Sequence, residues 1–140
     1  MFGPASWLRA AALGLAACLT TAAFAAGAPQ VVCHTIYGGE ERAWATPATT
    51  APYEVKPVQV GSYFLFKVVF QTQPRDLASV KIYVYADEDP AFKPIHHVTY
   101  RYPLRNARSG WGFTGLQRVY EPHRDGELEY WCEVRAQHVP

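Results

Sequence analysis

The sequence predicts an all-β fold, a two-layer antiparallel sandwich, with a small β-barrel as the alternative. Three observations lead there. Apolar residues alternate at period two, and β-branched and aromatic types dominate the apolar runs. No stretch carries the 3.6-residue periodicity of an amphipathic helix. Turns rich in Pro and Gly punctuate the chain at short intervals. Sheets of this kind bury one face each, so a second layer must cover them.

The elements follow in order. QVVCHTIY (30–37) is a first strand, and Gly38-Gly39 supplies the positive φ angles of a tight hairpin. EERAWA (40–45) is the return strand, and TPATTAP (46–52) reads as a loop. SYFLFKVVFQT (62–72) is the strongest strand. Phe64, Phe66, Val68 and Phe70 share its core face, while Tyr63, Leu65, Lys67 and Val69 share the other. QPRDLA (73–78) turns the chain. In SVKIYVYA (79–86), Val80, Ile82 and Val84 oppose Lys81, Tyr83 and Tyr85. DEDPAFKP (87–94) is expected as a charged, Pro-bounded loop, IHHVTYRY (95–102) as a strand and PLRNARSGWG (103–112) as a long loop. FTGLQRVYE (113–121) and LEYWCEVRA (128–136) are the last strands, joined by PHRDGE (122–127). About seven strands result.

Tyr130 stands two residues before Cys132, and a turn with Asp125-Gly126 lies just ahead of them. This stretch of about ten residues resembles the strand of immunoglobulin-like sandwiches that carries a tyrosine corner. The resemblance implies an immunoglobulin-like sandwich and a Tyr130 hydroxyl bonded back to upstream backbone. Two departures stand beside it. The 62–72 strand, where that fold would place the partner cysteine, has none, and little chain follows residue 136 for a final strand.

The first 25 residues read as a cleaved signal peptide. Arg9 is their only charge, an Ala-rich apolar run follows, and Ala23-Phe24-Ala25 offers the small-x-small cleavage pattern. LAAC (15–18) is a competing lipoprotein pattern in which Cys18 would be acylated, but the residues after it stay apolar. The run is too short and too Ala-rich for a membrane span, which needs about 20 strongly apolar residues. Residues 26–140 then form one domain of ordinary size, expected in the periplasm or secreted. Cys33 and Cys132 remain as the candidate thiols. In an oxidising compartment they are expected to bridge the first strand to the last, with Cα atoms about 4.4–6.8 Å apart.

The whole chain has 13 basic and 12 acidic residues. A balance this close to neutral argues against a nucleic-acid binder. The distribution is uneven, because no Asp or Glu lies between Lys93 and Tyr120. That segment carries Lys93, Tyr100, Arg101, Arg105, Arg108, Trp111 and Arg118. Guanidinium forks match carboxylate and phosphate groups, and Trp and Arg dominate interface hot spots. Tyr100, Arg101, Arg105, Arg108 and Trp111 are therefore the candidate binding residues, with Gly110 and Gly112 letting the Trp111 ring project.

The other constellations are weaker. His96 and His97 are adjacent, so on a strand they point to opposite faces. A Zn(II) or Cu(II) site would need one of them joined by His34 or His123. Asp87-Glu88-Asp89 lacks the spacing of a calcium loop. No nucleophile elbow is present. The expectation is an exported, non-catalytic binding module without cofactor or metal. Its partner would be a protein or an anionic envelope glycan or lipid headgroup. A small periplasmic hydrolase using unrecognised carboxylates and a His-based metal-binding protein are the alternatives.

Overall fold

A computed structural model describes residues 27–105 and 110–136, together with Gly3. The expected cleavage site at Ala23–Ala25, the alternative lipidation site Cys18 and the candidate Arg108 lie outside the described residues. Eight strands form among the described residues: β1 (Pro29–Tyr37), β2 (Glu40–Pro47), β3 (Val58–Val60), β4 (Phe64–Gln71), β5 (Ser79–Glu88), β6 (Ala91–Arg101), β7 (Gln117–Glu121) and β8 (Gly126–Ala136). They build two antiparallel four-stranded sheets, ordered β2-β1-β8-β7 (sheet A) and β3-β4-β5-β6 (sheet B). The molecule is a sandwich and is not closed into a barrel.

Period-two alternation sets the core. Phe64, Phe66, Val68 and Phe70 of β4 and Val80, Ile82 and Val84 of β5 are buried from sheet B. Val31, Cys33, Val119, Leu128, Tyr130 and Cys132 meet them from sheet A. Gly38 and Gly39 both have positive φ and form the two-residue loop between paired Tyr37 and Glu40, as the dipeptide predicts.

Two segments differ from the sequence reading. Residues 87–94 are a tight hairpin and not a loop. Asp87 pairs with Phe92 and Glu88 with Ala91, leaving Asp89-Pro90 as the turn. Pro94 is tolerated because β6 is an edge strand, and the register shifts beside it between Val84 and Tyr85. Within 113–121, the strand begins only at Gln117. Gly112 instead makes a parallel bridge to Cys132, with φ 61°. A Cβ at Gly112 would lie 1.9 Å from the Cys132 carbonyl oxygen, so only glycine permits this approach.

Cys33 and Cys132 are bonded, as expected, and both are fully buried. They are register partners within one sheet, whereas the immunoglobulin bridge joins two sheets. Their Cα atoms are 4.1 Å apart, below the expected range. The backbone of Cys132 explains this. Its N–H donates to Thr114 Oγ1 (2.9 Å) and its carbonyl accepts from Phe113 N–H (2.9 Å). Both groups point away from β1, so the cysteines face each other at a non-hydrogen-bonded site, where strands approach most closely.

Tyr130 also departs from the tyrosine-corner expectation. Its hydroxyl lies 2.7 Å from His96 Nε2 on the opposite sheet, and so does not close a corner onto nearby backbone. Burial, followed by the proximity of Tyr100, raises the pKa of the phenol. Burial, followed by the charge of His97, lowers that of His96. A neutral His96 carrying its hydrogen on Nδ1 accepts the phenol hydrogen at Nε2.

A depressed histidine pKa means that the unfolded chain binds the proton more readily. The stability contributed by His96 is thus fully present above its unfolded value, about 6.5, and is lost as pH falls toward the folded value. The urea midpoint should drop between neutral and mildly acidic pH, and His96→Gln should flatten that drop. A variant with the wild-type pH profile would show that the slope arises elsewhere.

Candidate functional site

The outer face of sheet B follows directly from the ladder registers. Lys67, Tyr83 and His97 form one row across β4, β5 and β6; Val69, Lys81 and Thr99 form the next; Gln71, Ser79 and Arg101 form the third. Lys67, Lys81 and Arg101 therefore lie on a diagonal, each step joining neighbours about 7–8 Å apart. The aromatic rings on this face pack on one another. Tyr83 stacks on His97 at 4.4 Å between centroids and on Tyr85 at 6.2 Å. Lys67 Nζ sits 5.6 Å from the Tyr83 centroid.

The diagonal runs into two adjoining grooves. One, of about 650 Å³, is lined by Arg75, Asp76, Arg101, Tyr102 and Arg105 among others. The second, of about 510 Å³, shares Asp76 and Arg101 and continues past Lys81 and Lys67 to Leu77 and Tyr53. The short 3₁₀ turn Arg75–Leu77 presents Arg75 and Leu77 there. Asp76 is the acidic residue lining both grooves. Among the described residues, none of Lys67, Arg75, Lys81, Arg101 and Arg105 makes an ion pair.

The opposite face is built differently. On the outer side of sheet A, His34 lies between two carboxylates, with Nδ1 2.9 Å from Glu41 and Nε2 3.1 Å from Glu133. Its ring stacks on Trp131 at 3.9 Å, and Trp111 meets Trp131 edge-on at 5.8 Å. Burial opposes ionisation of Glu133, but hydrogen bonds from Arg135 and His34 bring its pKa below the ordinary value. Arg118 pairs with Glu129 at 2.6 Å. Cations on this side are neutralised in place.

The structure thus divides the candidate residues of the sequence. Arg101 and Arg105 share a groove. Tyr100 lines the same groove but turns its ring inward, edge-on to Phe113 at 5.2 Å. Trp111 is half-exposed on the far face, packed on Trp131, because Gly112 carries the chain across to β8. Lys67, Arg75, Lys81 and Tyr83 were not among the candidates, and His97 was weighed as a possible metal ligand. The signal for two of them was present, since Lys67 and Lys81 fall on the exposed face of their strands.

The histidines do not gather. His96 faces Tyr130, His97 stacks on Tyr83, and His34 sits on the other sheet. Among the described residues, the group of three potential metal ligands that comes together is Glu88, Glu121 and His123, within 4.8 Å. Each already has a structural partner. Glu88 pairs with Lys93 at 2.6 Å and with His123 at 3.4 Å. The fully buried Glu121 carboxylate accepts the backbone N–H groups of His123 (2.8 Å) and Arg124 (3.0 Å). This cluster closes the β7–β8 turn.

Comparison of the chain with protein-family models, with curated proteins and with solved structures finds no match in any of the three. Among the described residues, no helix is long and apolar enough to cross a membrane.

Proposed function

We propose that the protein is an exported, non-catalytic binding module that holds an anionic ligand against the outer face of sheet B. One observation carries this reading: the segregation of its cations. Arg42, Lys93, Arg118 and Arg135 each pair with a glutamate, while Arg124 bonds to the Asp87 carbonyl and lies over the Tyr63 ring, and Lys56 stands apart beside Trp44. Lys67, Arg75, Lys81, Arg101 and Arg105 share one face and its grooves, and make no ion pair among the described residues. Clustered like charges repel and add nothing to the fold, whereas a local positive field concentrates an anionic partner and speeds encounter. The buried Cys33–Cys132 bond supports export, because such bonds persist in oxidising compartments.

Two double variants with the same net charge test the reading. Lys81→Ala/Arg101→Ala should weaken binding to dextran sulfate roughly tenfold, about 1.4 kcal/mol at low salt. Arg118→Ala/Arg135→Ala removes as much charge from the other sheet and should change binding little. Equal losses in the two variants would mean that net charge alone matters, and the proposed face would be abandoned.

A further inference from the structure

We infer that the anionic ligand is a phospholipid bilayer surface, on which sheet B lies flat; this deepens the reading above and rests on it. Four features argue for a surface in preference to a compact anion or a sugar chain. The first is the spread of charge. Lys67, Lys81 and Arg101 step diagonally across three strands and do not converge on a point, which suits a plane of distributed headgroups.

The second is the pair of apolar side chains beside those cations. Tyr53 is 96% exposed and Leu77 59% exposed, and both line the groove that holds Lys67, Lys81 and Arg101. Short turns hold their backbones. Glu54 N–H bonds to the Ala51 carbonyl (3.1 Å), and Leu77 N–H to that of Pro74 (3.1 Å). Apolar and tyrosyl side chains next to basic ones are the composition of an interfacial anchor, in which the former enter the headgroup boundary and the latter meet anionic lipid.

The third feature concerns the rings. Tyr83 stacks on His97 at 4.4 Å and has Lys67 Nζ 5.6 Å from its ring centroid, so the ring is engaged within the protein and is a poor platform for a pyranose. The fourth is the scarcity of acid around the cations. The positions around them, Val69, Gln71, Ser79, Tyr83, His97 and Thr99, include no carboxylate; Asp87 lies on this face only at the far end of β5, and Asp76 stands at the margin.

Co-sedimentation with vesicles tests this. The protein should bind vesicles of equal parts phosphatidylglycerol and phosphatidylcholine, and not vesicles of phosphatidylcholine alone. Added salt should weaken binding, because surface charges are screened beyond about 8 Å at physiological ionic strength. Lys67→Ala or Lys81→Ala should each lower partitioning about fivefold, the usual contribution of one cation near an anionic membrane. Tyr53→Ser/Leu77→Ser should lower vesicle partitioning while leaving dextran sulfate binding unchanged. Equal binding to neutral vesicles would overturn the inference. So would equal loss of both ligands in the Tyr53/Leu77 variant. Binding to dextran sulfate without binding to anionic vesicles would overturn the bilayer and leave the anion-binding face standing. Loss of both in the wild type would overturn both.

Discussion

Replacing both cysteines by alanine should cost about 2–5 kcal/mol of stability. The bridge joins residues separated by 99 positions, and the loop-entropy model assigns about 4.7 kcal/mol to a closed loop of roughly 100 residues. The position in the fold makes the constraint far-reaching. All of sheet B, and the strands β2 and β7 that border sheet A, lie inside the closed loop. Without the bond, the β1–β8 ladder must bring the chain ends together by hydrogen bonds and packing alone. Domains of this kind are stable by only about 5–15 kcal/mol, so the loss takes a large part of the total. Urea denaturation is the check. The midpoint should fall, and the slope should rise, because an unfolded chain without the cross-link exposes more surface. A midpoint unchanged in Cys33→Ala/Cys132→Ala would mean that native strain cancels the constraint.

Glu121→Ala should be the second costly change, at roughly 3 kcal/mol. Glu121 is fully buried, and its carboxylate satisfies two turn amides, those of His123 and Arg124. A hydrogen bond to a charged group is worth about 1.5–3 kcal/mol, and a buried amide left without an acceptor adds its own desolvation penalty. The turn also holds Asp125 at a positive φ of 52°, a conformation that the clamp helps to enforce. Glu121→Gln keeps one acceptor oxygen and should lose less than the alanine variant. Urea midpoints of the two proteins decide this; equal losses would show that volume, and not the paired acceptors, is what the site requires.

The sequence made some parts of this molecule legible and hid others for definable reasons. The core face of β4 was readable, because Phe64, Phe66, Val68 and Phe70 alternate without interruption. The β1–β2 hairpin was readable because Gly38-Gly39 admits few other turns. The hairpin at Asp89-Pro90 was not, since Pro94 and a charged run resemble a loop until β6 is known to be an edge. The Tyr-x-Cys spacing was real, but spacing does not say whether a hydroxyl bonds to nearby backbone or crosses the sandwich to His96. The candidate site suffered from a similar limit. Residues 93–118 are continuous and free of acid, yet the chain leaves sheet B after Arg101 and reaches sheet A by Gly112. Arg101 and Trp111 therefore end on opposite faces. Conversely, Lys67, Lys81 and Arg101 become neighbours only through strand register, which local pattern does not specify.

The anion-binding face is tested most directly by mapping backbone amide shifts while dextran sulfate is titrated into the isotopically labelled protein at low salt. The largest shifts should cluster at Lys67, Lys81, Tyr83, His97 and Arg101, extend to Arg75 and Arg105, and fade as salt is added. Shifts centred on Trp111, Trp131 and His34 would contradict the proposed face.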